Sequence, residues 1–313
     1  MTRPAPAPQR SSTAPAPARG SATRRGLLLG AGAAVAAGVV AGVAVQEGVL
    51  PGRARAHRWL GLDGPAGHVP DVQPGLTVSG SFVSRARLGA RTGWSIVYPG
   101  PRRQRLPVMV CLHGLGGDHT SAVDELGIDR FLVAAVDAGI PPFAVATADG
   151  GPTYWHPRPS GEDAGAMVVD ELLPMLATHG LDTSRLAFQG WSMGGYGALR
   201  LAGLLGSARV RAAAAVSAAL WTDPASASPS GFADSAEYRE FSVLGHQRDL
   251  DHQAVRVDCG TDDPFYDADR GYVAGFHRPV AHSWQPGAHD AAYWTRMLPA
   301  QLGFVGRALG SAG

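Results

Sequence analysis

Residues 186–199 read Leu-Ala-Phe-Gln-Gly-Trp-Ser-Met-Gly-Gly-Tyr-Gly-Ala-Leu, an apolar run that passes through G-x-S-x-G into a small-residue helix. In a strand-turn-helix elbow of this kind the serine stands at the tip of a strained turn, and Gly190 and Gly194 are glycine because a larger side chain would clash there. Ser192 is therefore the candidate nucleophile for an acyl carbonyl. The competing reading, a serine that only caps a helix, accounts for neither the upstream apolar run nor the downstream Gly-Gly-x-Gly-Ala-Leu. The helix after Ser192 also turns its first, unpaired N–H groups toward the charge that forms when an ester is attacked.

A serine of this type needs a base, an orienting acid and oxyanion donors, all at the C-terminal ends of strands in one sheet. Residues 106–112 read as a buried parallel strand that ends in His113-Gly114-Leu115-Gly116-Gly117, a turn that exposes backbone N–H groups. The amides of Leu115 and Met193 are the expected oxyanion hole, and loss of one such donor costs about 2.7–4 kcal/mol in transition-state stabilisation. His113, directly after the strand, is expected to stabilise the turn rather than to react.

Residues 254–259 form a second strand leading into Gly260-Thr261-Asp262-Asp263-Pro264. Pro264 disfavours the α region for the residue before it, so Asp263 is favoured as the triad acid, with Asp262 as the alternative. One of the two carboxylates is expected to cap a helix starting near Phe265. The chain order Ser, Asp, His leaves His277, His282 and His289 as bases. His277 is assigned to a helix and His282 to the last strand. His289 lies in the polar loop 285–290, ahead of a final helix from Ala291, and is the expected base.

The chain contains no lysine, so all 27 of its Lys-plus-Arg positions are arginine. That excludes Ser-Lys dyads, Schiff-base lysines and a P-loop lysine, and leaves histidine as the base for Ser192. The first 56 residues carry seven arginines and one glutamate against +1 for the whole chain, so the rest has a net charge of −5. An acidic domain does not suit nucleic acid. Cys111 and Cys259 both end core strands and are expected to be buried thiols without a bridge. No metal-ligand spacing is present, and the chemistry calls for no cofactor.

These segments resemble the esterase branch of the α/β-hydrolase superfamily, with its esterase D-like enzymes, feruloyl and acetyl esterases and secreted mycolyltransferases. The resemblance spans roughly residues 76–309 and rests on 113–117, 190–198, 260–265 and 287–290. It is carried further by Asp149-Gly150-Gly151, Tyr154-Trp155 and Glu171-Leu172-Leu173-Pro174. It implies a Ser-Asp-His triad, which maps here onto Ser192, Asp263 and His289. The acyl group is not implied, because such scaffolds host many substrates.

The elements that must position these residues alternate in the α/β manner. Strands are expected near 76–84, 93–99, 107–112 and 142–148, helices near 120–138 and 162–179, then the elbow and a strand at 210–216. The predicted fold is an α/β-hydrolase domain over 57–313, a mostly parallel sheet flanked by helices. The long connection 218–253, with Trp221, Phe232, Tyr238 and Phe241, is expected to cap the site. Tyr154, Trp155 and Trp191 are the expected substrate-binding aromatics.

Residues 1–56 read as a leader: a Pro/Ala/Ser/Thr/Arg stretch expected to be disordered, then Thr23-Arg24-Arg25 and an uncharged Gly/Ala/Val/Leu run. This pattern predicts a twin-arginine export signal, with residues 26–45 as the sole route to membrane attachment if uncleaved. The expected function is an exported serine esterase acting on a small-molecule, lipid or carbohydrate ester. Its rivals are an acyltransferase of the mycolyltransferase kind and a catalytically silent envelope-binding protein.

Overall fold

In the computed structural model, residues 53–311 are described. The leader expectations, including the arginine pair and the apolar run, lie outside them. Residues 54–311 pack as one unit, and the described chain opens with helix α1 (Arg53–Leu60).

Eight strands form one sheet in the order β1-β2-β4-β3-β5-β6-β7-β8. They are β1 Thr77–Ser84, β2 Ala90–Val97, β3 Pro107–Leu112, β4 Ala144–Ala148, β5 Asp182–Trp191, β6 Val210–Val216, β7 Ala254–Gly260 and β8 Ala281–Gln285. β2 pairs antiparallel with both β1 and β4, and every pairing from β4 through β8 is parallel. The second strand thus begins earlier than its apolar residues suggest, because Ala90-Arg91-Thr92 continue the ladder opposite β1.

Parallel strands covered on both faces read as continuous apolar runs, and β3 and β4 are buried throughout. Side chains alternate between two cores. Val108, Val110 and Leu112 enter one, with helix α5 (Met193–Leu205), while Met109 and Cys111 enter the other, with helix α8 (Ala291–Gly310). Each fully buried side chain of this size contributes roughly 1.5–3 kcal/mol.

Two helical expectations need correction. The helix expected over 120–138 is two, α2 (Ser121–Asp124) and α3 (Ile128–Asp137), broken where Gly127 takes φ 68° in the left-handed region. The helix near 162–179 is α4, made of Ala164–Ala166, π-helical turns at Met167–Leu172, and Leu173–Thr178. Its wide turns directly precede Pro174, which has no N–H to donate to an i−4 carbonyl. Asp163 caps α4 by accepting from the Ala166 N–H at 2.8 Å.

The 218–253 connection holds a 3₁₀ turn (Pro224–Ser226), helix α6 (Ser235–Phe241) and a second 3₁₀ turn (Gln247–Leu250). Helix α7 (Tyr266–Ala274) follows β7 and ends before His277, which lies in the turn leading to β8. Among the described residues no helix is long and apolar enough to cross a membrane.

A buried polar chain ties the sheet to α8. The Cys111 thiol donates to Gln189 Oε1 (3.0 Å), Gln189 Nε2 donates to Gln301 Oε1 (2.8 Å), and Gln301 Nε2 donates to Asp258 Oδ2 (3.1 Å). Arg256 Nε completes it at 2.8 Å from the same Asp258 oxygen. Both cysteines are free and buried; β5 and β6 separate their strands. Gln301→Leu strands the Gln189 amide in the core, and is expected to lower stability in urea titration by about 1–3 kcal/mol.

Candidate active site

The C-terminal ends of β3, β5, β6, β7 and β8 share one edge of the sheet, and the loops from that edge carry the predicted site. β5 stops at Trp191, and the chain reverses at Ser192 with φ 55° and ψ −122° before α5 begins. Such a conformation is strained for a residue with a Cβ and persists only where its surroundings enforce it. The enforcement is steric. A Cβ on Gly194 would overlap the Leu112 carbonyl oxygen, and one on Gly190 would overlap the carbonyl of Gly194.

Ser192 Oγ lies 2.9 Å from His289 Nε2, and His289 Nδ1 lies 2.9 Å from Asp263 Oδ2. The Asp263 side chain is fully buried and that of His289 is one-quarter exposed. Asp263 works twice: its Oδ1 accepts the Phe265 N–H at 2.9 Å, so the same carboxylate that meets the imidazole also holds the turn into α7. Asp262 faces elsewhere, with its Oδ2 2.6 Å from His57 Nδ1 on α1. His289 is placed by its neighbour, since Asp290 caps α8 through the Tyr293 N–H at 3.2 Å. Phe265 and Trp294 flank the imidazole edge-on, with ring centroids 5.3 and 5.1 Å away.

Met193 is the first residue of α5, so its N–H has no intrahelical partner. Leu115 lies half-exposed in the loop after β3, beside Ser192, Trp191 and His289 in one cavity of about 540 Å³. His113 Nδ1–H donates to the Gly114 carbonyl (2.7 Å), while Nε2 accepts the Gly150 N–H (2.9 Å). The ring thus fastens the loop after β3 to the loop after β4, and burial holds its pKa below the ordinary histidine value.

Tyr154 and Trp191 line the cavity, joined by Trp221, Phe265 and Trp294. Trp155 is placed differently from expectation. It is buried against Gly150 and Gly197 and stacks edge-on with His113, outside the cavity, because φ 57° at both Tyr154 and Trp155 turns the two rings apart. Trp294, on the first turn of α8, was not singled out by sequence, because its place beside His289 is set by how the loop enters the helix. Among the described residues no cluster of three or more His, Cys, Asp or Glu is arranged to hold a metal.

Residues 86–305 match the family model Esterase, whose description reads "Putative esterase". The chain belongs to the Esterase family. It is a carboxylic ester hydrolase or a related acyltransferase. No curated protein sequence matches the chain. Among solved structures, a ferulic acid esterase is 22% identical with a TM-score of 0.65, covering 74% of this chain and 98% of its own. An S-formylglutathione hydrolase from Agrobacterium tumefaciens is 18% identical with a TM-score of 0.64 (77% and 98% covered). A ferulic acid esterase from Anaeromyces mucronatus, solved with ferulic acid, is 18% identical with a TM-score of 0.59 (77% and 94% covered). At these identities they show a common fold, the α/β-hydrolase fold, and the esterase carries it with its 218–253 connection tied down by a histidine.

That tie is His156, fully buried between Phe232 and Phe241, with centroids 4.8 and 4.6 Å away. Its Nδ1 lies 2.8 Å from the Pro157 carbonyl and its Nε2 2.9 Å from that of Gly231 in the 218–253 connection, and the neutral ring donates to one of them. Burial pulls its pKa from 6.5 down to about 4. The unfolded chain therefore takes up this proton at a higher pH than the folded esterase does. Stability from the neutral ring is present above pH 6.5 and is lost as pH falls toward about 4. Denaturation midpoints are expected to drop over that window in wild type and to drop less in His156→Gln.

Proposed function

We propose that the chain is an exported serine esterase in which Ser192 is the nucleophile, His289 the general base and Asp263 the acid that orients it. The observation that carries this reading is the double engagement of His289, with one ring nitrogen on the Ser192 hydroxyl and the other on a buried carboxylate. With Nδ1–H donated to Asp263, Nε2 is left as the acceptor, so the imidazole meets the serine in its basic tautomer.

The steps follow from this arrangement. Ser192 Oγ attacks the ester carbonyl while its proton passes to Nε2. The oxyanion is received by the amides of Met193 and Leu115, and Asp263 stabilises the imidazolium. Return of the proton to the alcohol oxygen expels the leaving group. Water, deprotonated by the same nitrogen, then releases the acid and restores the serine. Tyr154, Trp191 and Trp221 offer apolar faces to the substrate, and a cavity of about 540 Å³ suits a small-molecule ester. The leader over residues 1–56 supports export, and residues 57–313 are proposed as the catalytic domain with 218–253 as its cap.

Hydrolysis of p-nitrophenyl esters from acetate to palmitate tests the reading. Ser192→Ala is expected to abolish turnover and fluorophosphonate labelling. Asp263→Asn is expected to lower kcat by about 10⁴-fold, because the imidazole then adopts the wrong tautomer. Asp262→Asn should leave kcat close to wild type, and full activity in Ser192→Ala would overturn the assignment. An acyl-enzyme that forms but turns over only when a sugar hydroxyl is supplied would make the enzyme a transferase.

A further inference from the structure

One buried carboxyl next to this site takes no part in the steps above. Asp269, in the first turns of α7, is fully buried. Its Oδ2 accepts the backbone N–H of Ala218 at 3.0 Å, while Oδ1 has no partner among the described residues beyond the neighbouring Cys259 thiol. The groups around it are the Asp263 and Asp258 carboxyls, the Cys259 thiol, and Tyr272 on its own helix. Ser217, whose hydroxyl lies against that thiol, borders the same pocket.

Ala218 belongs to the segment that grips the nucleophile from both sides of its backbone. The Ser192 N–H donates to the Val216 carbonyl, and the Ala219 N–H donates to the Ser192 carbonyl, each at 3.0 Å. Between these two bonds the segment itself is strained, with Ser217 at φ 51°. Its kink is held by two hydrogen bonds, Ser217 N–H to the Asp258 carbonyl (2.8 Å) and Ala218 N–H to Asp269. The packing leaves little slack, since a Cβ on Gly195 in α5 would come within 3.0 Å of the Ala218 Cα.

We propose that Asp269 is a positioning residue for Ser192: its carboxyl locks the 216–219 turn that fixes the nucleophile's backbone. This rests on Ser192 being the nucleophile. Burial, followed by the Asp263 charge, holds Asp269 well above the usual carboxylate range. Asp269 therefore acts through its hydrogen bond to the Ala218 N–H, not as a second anion beside His289, which meets Asp263. α7 thus joins both halves of the machinery, its start anchored by Asp263 and its first turns holding the elbow.

The experiment compares kcat, KM and the pH profile of ester hydrolysis in Asp269→Asn, Asp269→Ala and wild type, with Ser192→Ala as a control. Asparagine is neutral and keeps an oxygen for the Ala218 N–H, so Asp269→Asn should retain kcat and an unmoved acid limb. Asp269→Ala should lose about 10- to 100-fold in kcat with KM little changed, the scale of a misplaced reacting group. A collapse of kcat in a folded Asp269→Asn, or wild-type kcat in Asp269→Ala, overturns the proposal. So does an acid limb displaced to lower pH in Asp269→Asn, since loss of an anion would lower the His289 pKa. If Asp269→Ala does not fold, the Asp269→Asn profile decides alone. Activity surviving in Ser192→Ala would instead remove the reading beneath it.

Discussion

Everything at this site depends on holding Ser192 in a backbone conformation that an L-residue avoids. The turn at φ 55°, ψ −122° projects Oγ outward at the end of β5, and it exists because its neighbours leave no alternative. Glycine at 190 and 194 lets the strand end, the helix start and the Leu112 carbonyl occupy nearly the same space. The β6 extension then bonds both the N–H and the carbonyl of the serine. Strain of this kind is tolerated only inside a rigid surround, and the central strands on either side supply it, β3 buried throughout and β6 buried at every position but Arg211.

Asp263 and His289 have a different support, built from loops whose geometry is set by helix ends. Asp263 serves the imidazole with one oxygen and the start of α7 with the other, while Asp290 fixes the loop after His289 by capping α8. α1 reaches the residues next to both. His57 pairs with Asp262, and Arg58 lies 2.7 Å from Asp290. The Arg58 side chain is mostly exposed and adds little energy, whereas the His57 contact is buried and well placed to hold the acid loop.

The cavity beside Ser192 is walled by aromatic packing across three separate stretches of chain. Tyr154 comes from the β4 loop and Trp221 from the 218–253 connection, their rings 5.8 Å apart, and Trp294 comes from α8. His156 couples the first two stretches through the Gly231 carbonyl, so the wall of the cavity and the anchoring of that connection are one structure.

Sequence by itself determined the ester-hydrolase or acyltransferase class and the strand framework. G-x-S-x-G and the glycine turn after β3 are local patterns, and each is dictated by a turn only a few residues long. The apolar runs in β3, β5 and β6 were legible because strands covered on both faces keep few polar positions, Gln189 and Arg211 among them. Tertiary structure alone decided what depends on residues far apart in the chain. Asp262 and Asp263 are indistinguishable as neighbours in sequence until one is seen against His289 and the other against His57. Tyr154 and Trp155 are equally aromatic, and a pair of left-handed φ values sends one into the cavity and the other beneath it. Asp269 carries no motif, since its meaning lies in an N–H fifty-one residues away. Local sequence encodes turn geometry and periodicity, whereas pairing partners are chosen by burial, which only the folded chain defines.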